Sequence, residues 1–161
     1  MVPDEAQPLW EIVLGGSLII LSVLLHGIGM YLVQRRFARA WPHAHEARLR
    51  RQWVFGSLLA MMLATHLVEI GMWAVALNAV GAVPTFRDAF YYASVTYTAL
   101  GYQEVLLAKQ WRLLAPNMTI AGLFAFGWTT GVLVSLVQKA DEAYGREMSA
   151  DRASRGKETS A

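Results

Sequence analysis

The sequence predicts an all-α membrane protein: three transmembrane helices, with a shorter helix between the second and third that enters the membrane and turns back. Three observations carry this. Of 161 residues, 55% are hydrophobic and only 16% are charged, whereas soluble chains run nearer a quarter charged. Three apolar blocks, Leu9 to Val33, Trp53 to Val80 and Pro116 to Gln138, hold almost none of that charge. Each is long enough for a hydrocarbon core of roughly 30 Å, which about 20 helical residues cross. Finally, Gly81 to Ala115 contains an aromatic and small-residue run too short to span. The absence of Cys excludes a disulfide scaffold, and a net charge of +2 argues against a nucleic-acid partner.

The first block is preceded by Met1-Val2-Pro3-Asp4-Glu5, acidic where a signal peptide is basic. Gln34-Arg35-Arg36 follows it in place of a small-residue cleavage site, so the block is read as a retained helix. The connection to the second block carries Arg35, Arg36, Arg39, Arg48, Arg50 and Arg51 against Glu46 alone. The tail adds Lys139, Arg146, Arg152, Arg155 and Lys157, while the N-terminal tail has no Lys or Arg. The positive-inside rule then places the N-terminus outside and both the arginine loop and the C-terminus in the cytoplasm, across a plasma or inner membrane. The arginine loop is expected to meet anionic lipid headgroups. Trp10, Trp53 and Trp111 fall near the expected boundaries, where indole rings prefer to sit. His43-Ala44-His45-Glu46 has no Cys or further carboxylate beside it and reads as solvated loop rather than a metal site.

His26, His66 and Glu69 lie inside the apolar blocks, where ionisable groups are costly and count as functional candidates. His66 and Glu69 are three apart, on one helical face, and form the candidate intramembrane pair. Such a pair serves as a docking contact, as a proton sensor that titrates near neutral pH, or as part of a metal or proton pathway. By helical rise His26 lies about 10 Å from the inner end of its block and His66 about 20 Å. A three-residue metal site is therefore strained unless the helices slide, whereas a His66–Glu69 pair could dock the second helix onto the short helix or the first helix.

In the segment after the second block, Thr85 followed by Asp88 has the pattern of a helix N-cap with an acidic N3 partner. The helix it starts, Phe86 to Tyr97, reaches only about 18 Å. Thr98-Ala99-Leu100-Gly101-Tyr102-Gln103-Glu104 and a polar return to Trp111-Arg112 complete a re-entrant loop. Non-helical backbone at membrane depth needs protein or water around it, so the loop implies a cavity or pore.

Thr98 to Glu104 resembles the potassium-channel pattern Thr-Thr-Val-Gly-Tyr-Gly-Asp, and the order of outer helix, pore helix, filter and inner helix resembles the two-transmembrane ion channel family. The resemblance implies a pore domain over residues 53–138, an extra helix and arginine loop over 1–52, and a short tail over 139–161. It also implies a homotetramer, each chain supplying one quarter of a filter. Backbone carbonyls from Thr98 or Ala99 through Leu100, Gly101 and Tyr102 would strip water from a potassium ion, which is cargo rather than a bound cofactor. Gly101 matches the family glycine that needs a positive φ. Tyr102 would pack against Tyr91 or Tyr92, and Gly122 lies nearest the family's gating hinge. Three residues depart from the pattern: Ala99 for the second Thr, Gln103 for the second Gly and Glu104 for Asp. Glu104 keeps the negative mouth, whereas Ala99 and Gln103 leave potassium-over-sodium discrimination open.

In the third block, Gly127 and Gly131 read as close-packing positions, and periodicity leaves open whether Thr129 or Thr130 faces the pore. The tail reads as a helical extension that gives way to disorder. No nucleophile elbow, phosphate loop or zinc spacing marks an enzyme. The reading is a potassium-conducting cation channel. The alternatives are a non-conducting channel-like interaction subunit and a proton-coupled or pH-sensing membrane protein built on His66 and Glu69.

Overall fold

The computed structural model describes residues 8–41, 48–102 and 106–158. Four helices follow in order: α1 (Pro8–Ala40), α2 (Arg48–Ala79), α3 (Phe86–Tyr97) and α4 (Leu114–Glu158). A 3₁₀ turn, Lys109–Trp111, leads into α4. Leu9–Ala40, Leu49–Ala79 and Lys109–Arg146 are long and apolar enough to cross a membrane. The chain is an integral membrane protein.

The short helix α3 has the bounds that its sequence signals set. Thr85 caps it, accepting from the Asp88 amide at 3.1 Å while its hydroxyl donates to the Asp88 carboxylate at 2.7 Å. Ala89, Ala93 and Tyr97, spaced by four, form its buried face, and Phe86 and Tyr91 lie toward the outside. The two alanines keep that face thin, which lets α3 wedge between α2 and α4.

α1 packs against α2 and α4, α3 packs against the same two helices, and α2 and α4 scarcely touch. The four helices thus close a circuit. Two apolar clusters fill it. One, with Trp73, Leu77, Ala93, Leu114, Met118 and Ala121, joins α2, α3 and α4. The other, with Met30, Val33, Leu58, Met62, Val132 and Leu136, joins α1, α2 and α4. The layer between them is polar and contains His26, His66, Glu69 and Thr129.

Further polar ties hold α1 to its neighbours. The Trp73 indole N–H donates to Ser22 Oγ at 3.2 Å, and the buried Glu11 accepts the backbone N–H of Leu113 at 3.0 Å. The second tie puts a carboxylate at the start of α4, where free amides and the helix dipole favour negative charge.

α4 differs from the sequence reading in two respects. It continues unbroken to Glu158, where composition suggested disorder. Lys139 to Ala143 are mostly good helix formers, Glu142 precedes Arg146 at the favourable i, i+4 spacing, and the Arg51 guanidinium sits 5.5 Å over the Tyr144 ring. Gly127 and Gly131 are not close-packing positions within the chain, because no atom lies within 4 Å of where their Cβ would stand. They share with Leu123, Thr130 and Val134 a face that α1 and α3 leave open.

Gly122 does mark a close approach. A Cβ there would overlap the carbonyl oxygen of Tyr97, the last residue of α3. α4 continues unbroken through this position. Gly122→Ala is expected to force α3 and α4 apart and cost about 1–3 kcal/mol of stability, read as a lowered thermal unfolding midpoint in detergent. An unchanged midpoint would contradict the contact.

Candidate functional site

The site is built at the C-terminal end of α3. Thr98 caps the helix, its hydroxyl donating to Ser94 O at 2.8 Å. The amide of Leu100 then donates to Val95 O at 2.9 Å and that of Ala99 to Thr96 O at 3.0 Å. This pair of bonds is a Schellman cap, which requires a left-handed residue just past the helix. That residue is Ala99, with φ 58°. Two residues on, Gly101 is left-handed as well, with φ 68°, the conformation that the family resemblance implied for it. Gln103 and Glu104 lie outside the described residues, as do His43 and His45.

α4 finishes the cap from the side. The Thr119 hydroxyl donates to Thr96 O at 3.1 Å, and Gly122 gives room for the Tyr97 carbonyl. Tyr102 is 66% exposed in the single chain and lines, with Tyr91, Tyr92 and Thr119, a cavity of about 420 Å³ between α3 and α4.

Directly behind Tyr97, five side chains from four helices close a hydrogen-bonded ring. His26 Nδ1 of α1 meets Glu69 Oε1 of α2 at 2.8 Å. The Tyr97 hydroxyl of α3 donates to Glu69 Oε2 at 3.0 Å. His66 Nδ1 lies 3.1 Å from that hydroxyl, and His66 Nε2 lies 3.0 Å from Thr129 Oγ1 of α4. Thr129 Oγ1 is 3.2 Å from His26 Nε2, which closes the circle. His26, Glu69 and Tyr97 are fully buried and His66 nearly so. The Phe126 ring stacks on His66 at 4.5 Å, and Trp128 tilts against His26 at 5.4 Å.

Residues 63–139 match the family model described as Ion channel. The match begins midway along α2, takes in α3 and the segment after it, and ends in α4 at Lys139. The match covers most of the 53–138 stretch over which the sequence resembles a pore domain, from the second half of α2 onward. No curated protein and no solved structure matches the chain.

Within the matched segment lie Glu69, His66, Tyr97, Thr98, Gly101, Gly122 and Thr129; His26 comes from the helix outside it. Two expectations change here. His66 and Glu69 share a face but do not bond to each other directly; the Tyr97 hydroxyl stands between them, and the partner of Glu69 is His26. His26 also joins the site despite the depths inferred from the apolar blocks. α1 runs on to Ala40 and α2 begins at Arg48, so both helices extend past those blocks. Counted from the helix ends, the two histidines differ in depth by only about 6 Å, which helix tilt and side-chain reach cover.

Thr129, rather than Thr130, turns inward; the Thr130 hydroxyl bonds its own helix at Phe126 O. Tyr97 was legible only as the end of a short helix, although a buried tyrosine needs a partner for its hydroxyl. One ligand atom from each of His26, His66 and Glu69 lies within 4.8 Å of the others, near enough for a metal ion. Each of those side chains is already committed to ring hydrogen bonds, so a metal would have to displace the ring that is seen.

Removing the hydroxyl with Thr129→Val leaves two imidazole nitrogens facing an apolar group and is expected to cost about 1–3 kcal/mol, measured by thermal unfolding. At the cap, Ala99→Gly relieves a left-handed side chain and should be neutral or stabilising by up to about 1 kcal/mol. Ala99→Thr, the family residue, places a β-branched side chain at positive φ and should destabilise. The reverse order for these two variants would contradict the cap geometry.

Proposed function

We propose that this protein is a cation channel that conducts potassium as a homotetramer, with α3 as a re-entrant pore helix and Thr98 to Glu104 as the filter. The observation that carries the reading is a capped 12-residue helix between two membrane-length helices, inside the segment that matches the ion channel family. At about 18 Å it is too short to cross. Its carboxyl end carries the negative pole of the helix dipole and would favour a cation where the filter begins.

In the assembled pore, carbonyls of Ala99, Leu100, Gly101 and Tyr102 from four chains would replace the hydration shell of the permeant ion. Left-handed residues at 99 and 101 support this, since a regular helix or strand would not present the intervening carbonyls in the same way. The open face of α4, with Gly127, Thr130 and Gly131, is free to meet a neighbouring chain or the ion path. The N-terminus would lie outside and the C-terminus in the cytoplasm. Arg35, Arg36, Arg39 and Arg50 line one cavity at the cytoplasmic end of such a bundle, suited to anionic lipid headgroups.

Purified protein in liposomes carrying a potassium or a sodium gradient tests the reading. Potassium flux is expected from the wild type, stronger in vesicles with anionic lipid, and lost when Thr98, Gly101 and Tyr102 are replaced together. Undiminished flux in the triple variant would remove the filter assignment.

A further inference from the structure

We infer that the five-membered ring behind the filter is a proton-binding site that holds one proton more than neutral histidines and an ionised Glu69 supply. The inference comes from counting. The ring has five hydrogen bonds, His26–Glu69, Glu69–Tyr97, Tyr97–His66, His66–Thr129 and Thr129–His26. Each bond needs one N–H or O–H proton. Two neutral imidazoles, one phenol and one threonine hydroxyl bring four, and an ionised carboxylate brings none.

A closed ring therefore takes up a fifth proton. It resides on one imidazole beside the Glu69 carboxylate, or on Glu69 itself. In either case the cluster as a whole is uncharged, the state a buried site between apolar layers favours. If the Thr129 hydroxyl instead donated to the Met30 sulfur at 3.9 Å, a sixth proton would be needed and the cluster would become positive. With the fifth proton removed, one pair of acceptors must face each other without a donor, and the negative charge of Glu69 is left uncompensated.

The titratable groups that meet in the ring are His26 from α1, His66 and Glu69 from α2 and Tyr97 from α3; α4 brings the neutral Thr129 with the Phe126 and Trp128 rings. No other described acid or base bonds to them. The Tyr97 hydroxyl joins both α2 partners, and its backbone leads directly into Thr98. Opening the ring therefore loosens the last residue before the filter segment. On the channel reading, on which this part rests, conduction falls when the proton leaves.

The sign of the pH dependence follows from proton balance. Above about pH 6.5 the two histidines of the unfolded chain are neutral, so the unfolded state holds none of the extra proton and the folded state holds one. The folding equilibrium then falls about tenfold for each pH unit gained, as long as the folded ring keeps the proton, and levels off once the ring releases it. Between about pH 4.5 and 6.5 the unfolded chain holds two imidazolium protons against one, and the equilibrium falls about tenfold for each unit lost. Stability peaks near the ordinary histidine value.

Glu69→Gln separates this from a merely structural network. Its amide supplies the fifth proton permanently, so the ring closes with neutral histidines and nothing to titrate. Thermal unfolding of the full chain from pH 7 to pH 9 should show a falling midpoint for the wild type and a level one for Glu69→Gln. Potassium flux in liposomes should fall for the wild type only where the folded ring releases its proton, at the pH where the midpoint stops falling, and should stay level for Glu69→Gln. Parallel profiles for the two proteins, or a level wild-type profile, overturn the proton site whatever the flux shows. The expected stability profiles with no flux in either protein would leave the proton site standing and remove the channel reading.

A wild-type measurement guards against a variant that does not fold. Spectra of ¹⁵N-histidine and ¹³C-glutamate protein at pH 7 should show either three protonated nitrogens among His26 and His66, or two with a protonated Glu69 carboxyl. Two with an ionised carboxylate overturn the count. Loss of stability on adding a chelator would assign the cluster to a metal ion and also overturn it.

Discussion

The fold turns on one constraint: polar groups placed between two apolar layers must find partners among themselves. Leaving a single donor or acceptor unpaired there costs on the order of 1–3 kcal/mol, and more for a charge. His26, Glu69, Tyr97, His66 and Thr129 meet this demand by closing on one another. No two neighbouring helices in the circuit of α1, α2, α3 and α4 can shift freely without opening the ring. Apolar packing alone would tolerate small slips between helices; a hydrogen-bonded ring fixes their depth and rotation.

α3 gains most from this. A helix of 12 residues makes little stabilising contact by itself. It is held at its start by the Thr85 cap, along its side by the thin Ala89 and Ala93 face, and at its end by three separate devices. These are the Schellman bonds around Ala99, the Thr119 hydroxyl on Thr96 O, and the contact of Gly122 with the Tyr97 carbonyl. The ring adds a fourth through the Tyr97 side chain. The backbone emerging at Thr98 thus starts from an anchored point, as the proposed filter would require. α1, outside the ion channel match, contributes to that rigidity through His26, Ser22 and Glu11.

Much of this was legible along the chain. The bounds of α3 follow from Thr85, Asp88 and the change of composition after Tyr97, because capping and the end of a helical run are local events. The positive φ at Gly101 was implied by the resemblance of Thr98 to Glu104 to the family pattern. The left-handed Ala99 was not, since alanine carries no signal for that conformation and adopts it here only because the helix end is capped. The continuation of α4 past Gln138 was half legible: the helix formers are local, but the support of Tyr144 by Arg51 joins residues far apart in sequence. Within the chain the close approach on α4 falls at Gly122 rather than at Gly127 or Gly131, and only the neighbour at each glycine distinguishes them.

By itself the sequence determined the solvent, the number of long apolar helices, the short fourth one and the resemblance to an ion channel pore, because hydropathy, capping and turn chemistry are read from adjacent residues. It also singled out His26, His66 and Glu69 as costly to bury. The tertiary structure alone decided which of them bond, that Tyr97 and Thr129 complete them, and hence that a count of protons can be made. The reason is geometric. Partnership between helices depends on their relative depth and rotation, and a shift of one residue along a helix moves a side chain by about 1.5 Å and 100°, enough to turn a partner away.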